Sequence, residues 1–376
     1  MSFVSGPTEV RLPIAPGLFV VAAAVACSHG EPFTPADQGS DAPFAAGSPR
    51  RLTFSPADDR TPAWLPDGSG IIYSSERTDR HDGDRCFRIL PPTGGQVIRT
   101  ICNTVAVYDD TTDRYESPAV NAEGRMLYYR AQGWIGLQKG PQLRLMLGRI
   151  DDPVAAVEVT RVPYAASNGR VHSNISQIRW LDATRFVYLA EELFYEGSTF
   201  YPDTFITGRD IVRGQVTGET AVLEVVPGTT DASGVAVGDD GDTIYFTLGG
   251  DSRIYRRSLA TGDQSVVHDF GEIARDVQVH GSTLVAIVGR SVFWSDEAAH
   301  GWTQRDEGGD LVIVDLATGA VTRHAYDETL FRRPAISPAG DRVVVEASPY
   351  APVHTIADSD FNAPNHRPDL WLFDLQ

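Results

Sequence analysis

The chain has 376 residues, of which 42% are hydrophobic and 22% are charged, a composition that is ordinary for a soluble globular protein. Its 32 Lys and Arg residues against 50 Asp and Glu residues give a formal net charge of −18. This charge argues against nucleic acid and anionic membrane surfaces as partners, because both would repel an acidic protein.

Residues 1–26 have the pattern of an export signal. Arg11 precedes an apolar stretch from Leu12 to Ala26, which is too short and too interrupted by proline to cross a bilayer as a mature helix. The small residues leading into Cys27 resemble the lipobox of bacterial lipoproteins. That resemblance implies lipidation of Cys27, membrane contact through the lipid anchor alone, and a periplasmic or cell-surface location. Plain secretion and a misassigned start are the alternatives.

Residues 27–49 are rich in Pro, Ala, Gly and Asp, which predicts a flexible tether behind Cys27. A short β-rich segment, 50–54, follows the tether. From this segment to residue 376 the chain is predicted to form one β-rich domain.

The first repeated unit contains four predicted strands: 61–64, 71–75, 86–90 and 97–102. The last two strands flank the turn-forming sequence 91–96, which predicts a hairpin. If that hairpin centres on Gly94, Cys86 and Cys102 lie directly opposite each other, at a separation that suits a disulfide. An oxidising compartment favours this pairing. Two free buried thiols are the alternative.

A short sequence motif in the first unit recurs along the chain. Trp64-Leu65-Pro66-Asp67-Gly68 precedes an apolar strand, and weaker versions begin at Val120, Val237 and Ile336. In these turns Asp and Gly serve the backbone conformation. Five further units are predicted, with strands at 117–120, 126–130, 143–149 and 156–160; 175–180, 185–190, 210–214 and 221–226; 234–237, 243–248, 253–258 and 264–268; 276–279, 283–288, 310–315 and 320–324; and 334–337, 342–347 and 369–374.

Repeats of strands at this spacing are typical of propeller blades. The last unit lacks a fourth strand, and residues 50–54 can supply it by pairing with residues 370–375. This pairing would close the ring without an open edge. The prediction is therefore an all-β, six-bladed propeller of four-stranded antiparallel blades.

Residues 51–54 and 62–77, and more weakly Pro334 to Pro338, resemble the repeat of TolB-like propellers, which are related to WD40 blades. The resemblance extends over residues 50–376, although Leu65 stands where the family has Ser. It implies a six-bladed, mostly periplasmic propeller that acts as a platform for interactions. The separate N-terminal domain of TolB is absent, so the resemblance does not imply the function of TolB itself.

The connections between second and third strands vary in length. The fourth unit needs only 249–252, whereas the others use 76–85, 131–142, 191–209, 289–309 and 348–368. These connections share one face of a propeller, and insertions on one face commonly mark a binding surface. Their aromatic and polar residues could recognise a ligand or pack on one another beneath the loops. The candidate binding residues are Trp134, Tyr195, Tyr201, Trp302, Tyr350 and His354.

The sequence contains no nucleophile elbow, zinc-protease helix or phosphate-binding loop, and no catalytic residue, metal ligand or cofactor is predicted. The favoured function is a monomeric platform for an envelope protein or a glycan. The alternative is a metal-dependent, polysaccharide lyase-like enzyme, because His81, His300, His354 and His366 lie with several Asp residues in the insertions. A structural envelope component without a small ligand is the third hypothesis.

Overall fold

The computed structural model contains β-strands and turns and, in the residues that it describes, no α-helix. No helix of the length and hydropathy needed to cross a bilayer occurs in these residues. The described residues are 49–54, 58–76, 84–102, 111–134, 142–152, 155–162, 170–198, 201–290, 292–296, 301–305, 308–327, 329–349, 353–355 and 368–375.

The strands are, in chain order, β1 (Arg50–Arg51), β2 (Asp59–Trp64), β3 (Ile71–Glu76), β4 (Arg85–Leu90), β5 (Arg99–Ile101), β6 (Thr111–Val120), β7 (Arg125–Trp134), β8 (Gln142–Arg149), β9 (Val157–Val162), β10 (Arg170–Trp180), β11 (Arg185–Ser198), β12 (Tyr201–Thr217), β13 (Thr220–Val225), β14 (Ala232–Val237), β15 (Thr243–Leu248), β16 (Arg253–Ser258), β17 (Gln264–Asp269), β18 (Ala274–His280), β19 (Thr283–Val288), β20 (Val292–Asp296), β21 (Gly301–Arg305), β22 (Asp310–Asp315), β23 (Val321–His324), β24 (Thr329–Ile336), β25 (Arg342–Pro349), β26 (Val353–Thr355) and β27 (Asp369–Asp374).

Within the described residues, four sheets are antiparallel and four-stranded, with strand orders β10–β11–β12–β13, β14–β15–β16–β17, β18–β19–β22–β23 and β1–β27–β25–β24. A larger sheet contains β2 to β9 and runs β2–β3–β4–β6–β7–β8–β9, with β5 paired to β4. The predicted all-β fold and its four-stranded antiparallel blades are confirmed. The count of six blades stays a prediction.

Six strands, called here the inner strands, contact one another in sequence: β2 contacts β6, β6 contacts β10, β10 contacts β14, β14 contacts β18, β18 contacts β24, and β24 contacts β2. Apolar clusters fill the spaces between consecutive sheets. One such cluster joins the N-terminal segment to the first and last units through Leu52, Trp64, Tyr73 and Leu370, all less than 10% exposed. Burial of these side chains is the main favourable contribution to folding.

The N-terminal strand completes the last sheet. Arg50 and Arg51 in β1 lie opposite Leu372 and Trp371 in β27, and the Leu52 amide donates to the Leu370 carbonyl at 2.7 Å. The predicted pairing of the chain's two ends is therefore confirmed. The strand itself covers two residues of the predicted 50–54, because the Thr53 hydroxyl instead donates to the Asp369 carboxylate at 3.0 Å.

The predicted disulfide between Cys86 and Cys102 is confirmed. Phe87 and Ile101 are directly opposite each other in β4 and β5, so the next pair in the same register is Cys86 and Cys102. Their Cα atoms are 4.8 Å apart, which lies within the range that a disulfide spans.

The two ends of the inner strands differ. Asp59 at the start of β2 pairs with Ser75, next to the second-to-third connection, whereas Trp64 at its end pairs with Ile71, next to the first-to-second turn. We call these the insertion end and the turn end. At the turn end Asp67 accepts a hydrogen bond from the Ser69 amide, and Gly68 has a φ of 71°. The predicted turn role of Asp67 is confirmed.

Candidate functional site

The insertion of the third unit is a long hairpin. Strands β11 and β12 remain paired from Arg185 opposite Gln215 to Ser198 opposite Tyr201, with one register shift after Glu192. The sequence-based expectation of a loop over 191–209 was therefore wrong. The chain continues the blade's two middle strands beyond the sheet, because a hairpin satisfies the backbone groups that a loop would leave to water.

The insertions of the fifth and sixth units join in one small sheet. Strand β20 pairs antiparallel with β21 and parallel with β26, so a three-stranded sheet spans two neighbouring units at the insertion end. Two predicted binding residues occur in it: Trp302 opposite Ser295, and His354 opposite Trp294. The expectation of irregular connections at 289–309 and 348–368 was thus wrong for these strands.

The other predicted site residues have different positions. Trp134 ends β7 opposite Thr111, Tyr195 lies opposite Thr204, and Tyr201 begins β12. Tyr350 and Cys27, together with residues 1–48, lie outside the described residues. The structure therefore places Trp134, Tyr195, Tyr201, Trp302 and His354 in strands at the insertion end, while the exposure of their side chains stays a prediction.

Sequence reasoning missed a polar network along the axis. Five inner strands contain a β-bulge in which one residue other than glycine has a positive φ: Thr61, Ser117, Gln177, Asp276 and Arg333, with φ between 38° and 53°. Bulges re-aim side chains and interrupt pairing, and non-glycine residues adopt this conformation only where the surroundings enforce it. In three units a Pro-Ala pair follows the bulged residue, as in Thr61-Pro62-Ala63, and this repeat is the signal that could have located the network.

The bulged residues bond across neighbouring sheets. The Ser117 amide donates to the Thr61 hydroxyl at 3.2 Å, and the Thr61 amide donates to the Glu346 carboxylate. Arg333 donates to both oxygens of Glu346 at 3.0 and 3.2 Å. Because Glu346 is fully buried, its charge requires these partners.

The same network continues on the other side of the axis. The Arg333 amide donates to Asp276 at 3.0 Å, and the Gln177 side-chain amide donates to the other Asp276 oxygen at 2.5 Å. The Gln177 carbonyl oxygen in turn accepts from the Val235 amide at 2.8 Å. These bonds connect β10, β14, β18 and β24 through side chains.

Arginines are concentrated at the insertion end of the axis. Asp58 accepts from Arg60 and from Arg85, both at 2.7 Å, and Arg85 also pairs with Glu116 at 2.5 Å. Although burial opposes it, the surrounding guanidinium groups, Arg85 first among them, lower the pKa of Glu116 to about 2. Arg60 and Arg333 keep 32% and 31% of their side-chain surface accessible, so water reaches this part of the axis.

Two buried carboxyl groups lie where the first and last units meet. Asp369 pairs with Arg51 at 2.5 Å, and burial raises the pKa of Asp369 to about 6. Asp59 is fully buried, and among the residues that the structure describes neither of its carboxyl oxygens has a hydrogen-bond partner. Burial, followed by the charge of Asp369, raises the pKa of Asp59 to about 8. Asp59 is therefore mostly protonated at neutral pH.

The turn end contains an axial cavity of about 270 Å³. Its wall has apolar and polar surface in similar amounts and includes Trp64 and Trp180, which donate their indole N–H groups to the carbonyls of Ala335 and Ala119, each at 2.9 Å. Arg179 lines the same cavity. Small-molecule sites are commonly concave, with polar groups that orient a ligand against apolar walls, and this cavity offers both kinds of surface.

Within the part of the chain that the structure describes, no group of three or more His, Cys, Asp and Glu side chains could hold a metal ion. The metal hypothesis from the sequence rests on His81, His300, His354 and His366, whose side chains lie outside the part of the chain that the structure describes.

Comparisons with known proteins establish the fold. No family model and no curated protein match the chain. Among solved structures, a gluconolactonase from Xanthomonas campestris is 12% identical with a TM-score of 0.51, covering 87% of this chain and 89% of that chain. The calcium-binding protein regucalcin from Agrobacterium tumefaciens is 14% identical with a TM-score of 0.51, covering 87% and 94%.

TolB from Acinetobacter baumannii is 16% identical with a TM-score of 0.47, covering 82% of this chain. The chain spans 64% of that TolB chain, less than two thirds of its length. At these identities the likenesses to the gluconolactonase and to regucalcin show a β-propeller fold and nothing about activity.

Proposed function

We propose that this protein is an exported, lipid-anchored, TolB-like propeller of six blades that binds an envelope protein or a glycan through its insertion end. The single observation that carries the proposal is the concentration of added structure at that end. The hairpin of β11 and β12 and the sheet of β20, β21 and β26 both lie there, whereas β15 and β16 are joined by 249–252 alone.

The six-blade count is supported by the architecture of β2 to β9. Strands β2–β5 and β6–β9 are joined by a single parallel pair, Arg85 opposite Arg114. Between these halves lies an apolar cluster that includes Phe87, Tyr115 and Tyr128, as between the other consecutive sheets. The larger sheet is therefore interpreted as two blades, and the closed sequence of inner-strand contacts agrees with six.

Export and anchoring rest on the sequence of residues 1–49, and the disulfide supports them. A bond between Cys86 and Cys102 forms and persists in an oxidising compartment such as the periplasm. Lipidation of Cys27 would anchor the protein to a membrane surface, with residues 27–49 as the tether between the anchor and the propeller.

The binding role is tested by shortening the β11–β12 hairpin. Residues 192–208 are replaced by Asn-Gly, which joins the opposed residues Glu191 and Arg209 by a two-residue turn. We expect the variant to keep its β-rich circular dichroism spectrum. The amount of partner recovered by crosslinking in the native envelope should fall at least tenfold. Val222→Ser, an exposed position on β13 of the same sheet, is the control. Unchanged recovery by a folded hairpin variant would refute the binding role.

Metal-dependent glycan processing at the same end is the second candidate. It is favoured by the position of His354 in β26 beside Trp294 in β20, within a sheet that two insertions build together. Elemental analysis after purification without chelators, combined with an assay for unsaturated products from acidic polysaccharides, tests it. Product formation that is lost in a His354→Ala variant would support this function over the platform.

A further inference from the structure

One position of the inner strands distinguishes the third unit from the others. The residues two positions after the bulged residue of each inner strand, or after Gly234 in the fourth unit, are equivalent by register. They are Ala63 opposite Ile72, Ala119 opposite Leu127, Arg179 opposite Val187, Ala236 opposite Tyr245, Gln278 opposite Val285, and Ala335 opposite Val344. Four of these positions hold alanine. Small side chains leave space near the axis, and an arginine enters that space from one strand.

The cavity described at the turn end is this space. It is lined by Ala63, Ala119 and Ala335 together with Arg179 and Gln278, which are five of the six equivalent residues. Trp64, Trp180 and three prolines provide the remaining large apolar walls. Arg179, Gln278, His280 and Ser337 add polar groups from three units, so the cavity presents apolar and polar surface in similar amounts.

Within the described residues, Arg179 has no carboxylate partner. Its Nη1 donates to the neighbouring Ile178 carbonyl at 2.9 Å, and its Nε has no hydrogen-bond partner in the same part of the chain. Burial lowers the pKa of Arg179 to about 10, and the charge of Asp276 opposes this shift only in part. Asp276 instead bonds to Gln177 and to the Arg333 amide. Arg179 is half-buried and its Nε is shielded from water. A partly desolvated guanidinium group without a counter-ion is costly, and an anion beside it would be stabilising.

The carboxylates nearest to the cavity do not serve as counter-ions for Arg179. His280 lies at the cavity wall, and its Nδ1 is 3.2 Å from Asp239. Asp341 accepts from the Ser337 hydroxyl at 2.7 Å. Both carboxylates are therefore committed to partners other than Arg179.

We propose that the turn-end cavity binds a small organic acid, with one carboxylate on Arg179 and an apolar or aromatic body between Trp64 and Trp180. The planar guanidinium fork matches carboxylate geometry, and a hydrogen bond between charged groups is stronger than a neutral one. The volume of about 270 Å³ is at the lower limit of ligand pockets, which restricts the body to about one ring. This site is at the opposite end from the proposed partner surface and does not depend on it.

The experiment uses the full chain and two matched probes, benzoate and its neutral isostere benzamide. Binding is measured by calorimetry and by tryptophan fluorescence. We expect benzoate to bind at least tenfold more tightly than benzamide, and Arg179→Met to remove this preference. Arg213→Met is the control, because Arg213 is exposed on β12 and pairs with Glu224 at 2.6 Å.

Equal affinity for the two probes, or no binding of benzoate by the wild-type chain, would overturn the proposal. So would an unchanged preference in a folded Arg179→Met variant. If that variant does not fold, Arg179→Lys keeps the positive charge but loses the fork. It should weaken benzoate binding several-fold and leave benzamide binding unchanged, and equal benzoate binding by the lysine variant would also overturn the proposal.

Discussion

The two ends of the axis use arginine in opposite ways. At the insertion end Arg85 and Arg333 contact carboxylates at hydrogen-bond distance, so each buried charge has a counter-charge. At the turn end Arg179 lines a cavity and has no carboxylate partner among the described residues. Paired charges stabilise the contacts between sheets. An unpaired charge lowers the stability of the fold, and a ligand that supplies a counter-charge would offset this cost.

The largest difference between the ends should appear when Arg333 is replaced. Arg333→Met leaves the fully buried Glu346 without its ion-pair partner, and such a loss costs about 3–5 kcal/mol of the free energy of unfolding. Urea denaturation of the full chain measures the change. A loss below about 1 kcal/mol would mean that the axial ion pair does not join the sheets.

The disulfide should give the next effect. It links residues 16 positions apart in the first unit, and closure of a loop of this length stabilises a protein by about 3 kcal/mol. We expect a Cys86→Ala/Cys102→Ala double variant to unfold at lower urea concentration by that amount. Reductant should destabilise the wild-type chain and leave the double variant unchanged. An equal response of both proteins to reductant would contradict this origin of stability.

The third prediction concerns pH at the junction of the first and last units. The pKa of Asp59 is raised to about 8, so the folded state holds a proton that the unfolded state releases near pH 4. Stability from this group is complete below pH 4 and is lost as the pH rises to about 8, by at most about 1.4 kcal/mol per pH unit.

Replacement of this carboxyl by a neutral isostere isolates its contribution. Asp59→Asn should therefore reduce the loss of stability between pH 6 and 8 by about 2 kcal/mol. Denaturation curves at several pH values give the slope, and Asp67→Asn in an exposed turn is the control. An identical slope in Asp59→Asn and the wild-type chain would show that Asp59 does not titrate in this range.

The smallest effect should come from the turn end. Without ligand, Arg179→Met should leave stability unchanged or raise it by up to about 1 kcal/mol, because it removes a half-buried charge that has no carboxylate partner among the described residues. The same denaturation assay measures this change, and Arg333→Met provides the contrast. A loss of several kcal/mol would show that Arg179 has a structural partner and would remove the distinction between the two ends.

The sequence predicted those parts of the fold that depend on local patterns. Alternating strands, the turn at Asp67 and the hairpin around Gly94 come from short-range chemistry, and the pairing of 50–54 with 370–375 follows from counting strands. The hairpin of β11 and β12 was missed because 191–209 mixes polar, aromatic and glycine residues without the two-residue period of a half-buried strand.

The axial groups were missed for a different reason. Asp276, Arg333 and Arg179 become neighbours only when the inner strands are aligned by their bulges, and a bulge shifts the register by one residue. A charged residue on a strand is also usually solvent-exposed, so the pattern alone favours an outward position for Arg179.

The pairing of β1 with β27 also determines when, during folding, the last sheet can be completed. Arg51 and Asp369 bond across 318 positions of sequence, so β1 must wait until β27 has been synthesised before its sheet is complete. Contacts of such long range slow folding, because the chain must be closed before they form. A chain released early, without β27, would keep β1 and the edge of β25 unpaired, and such edges are the templates on which protein chains aggregate.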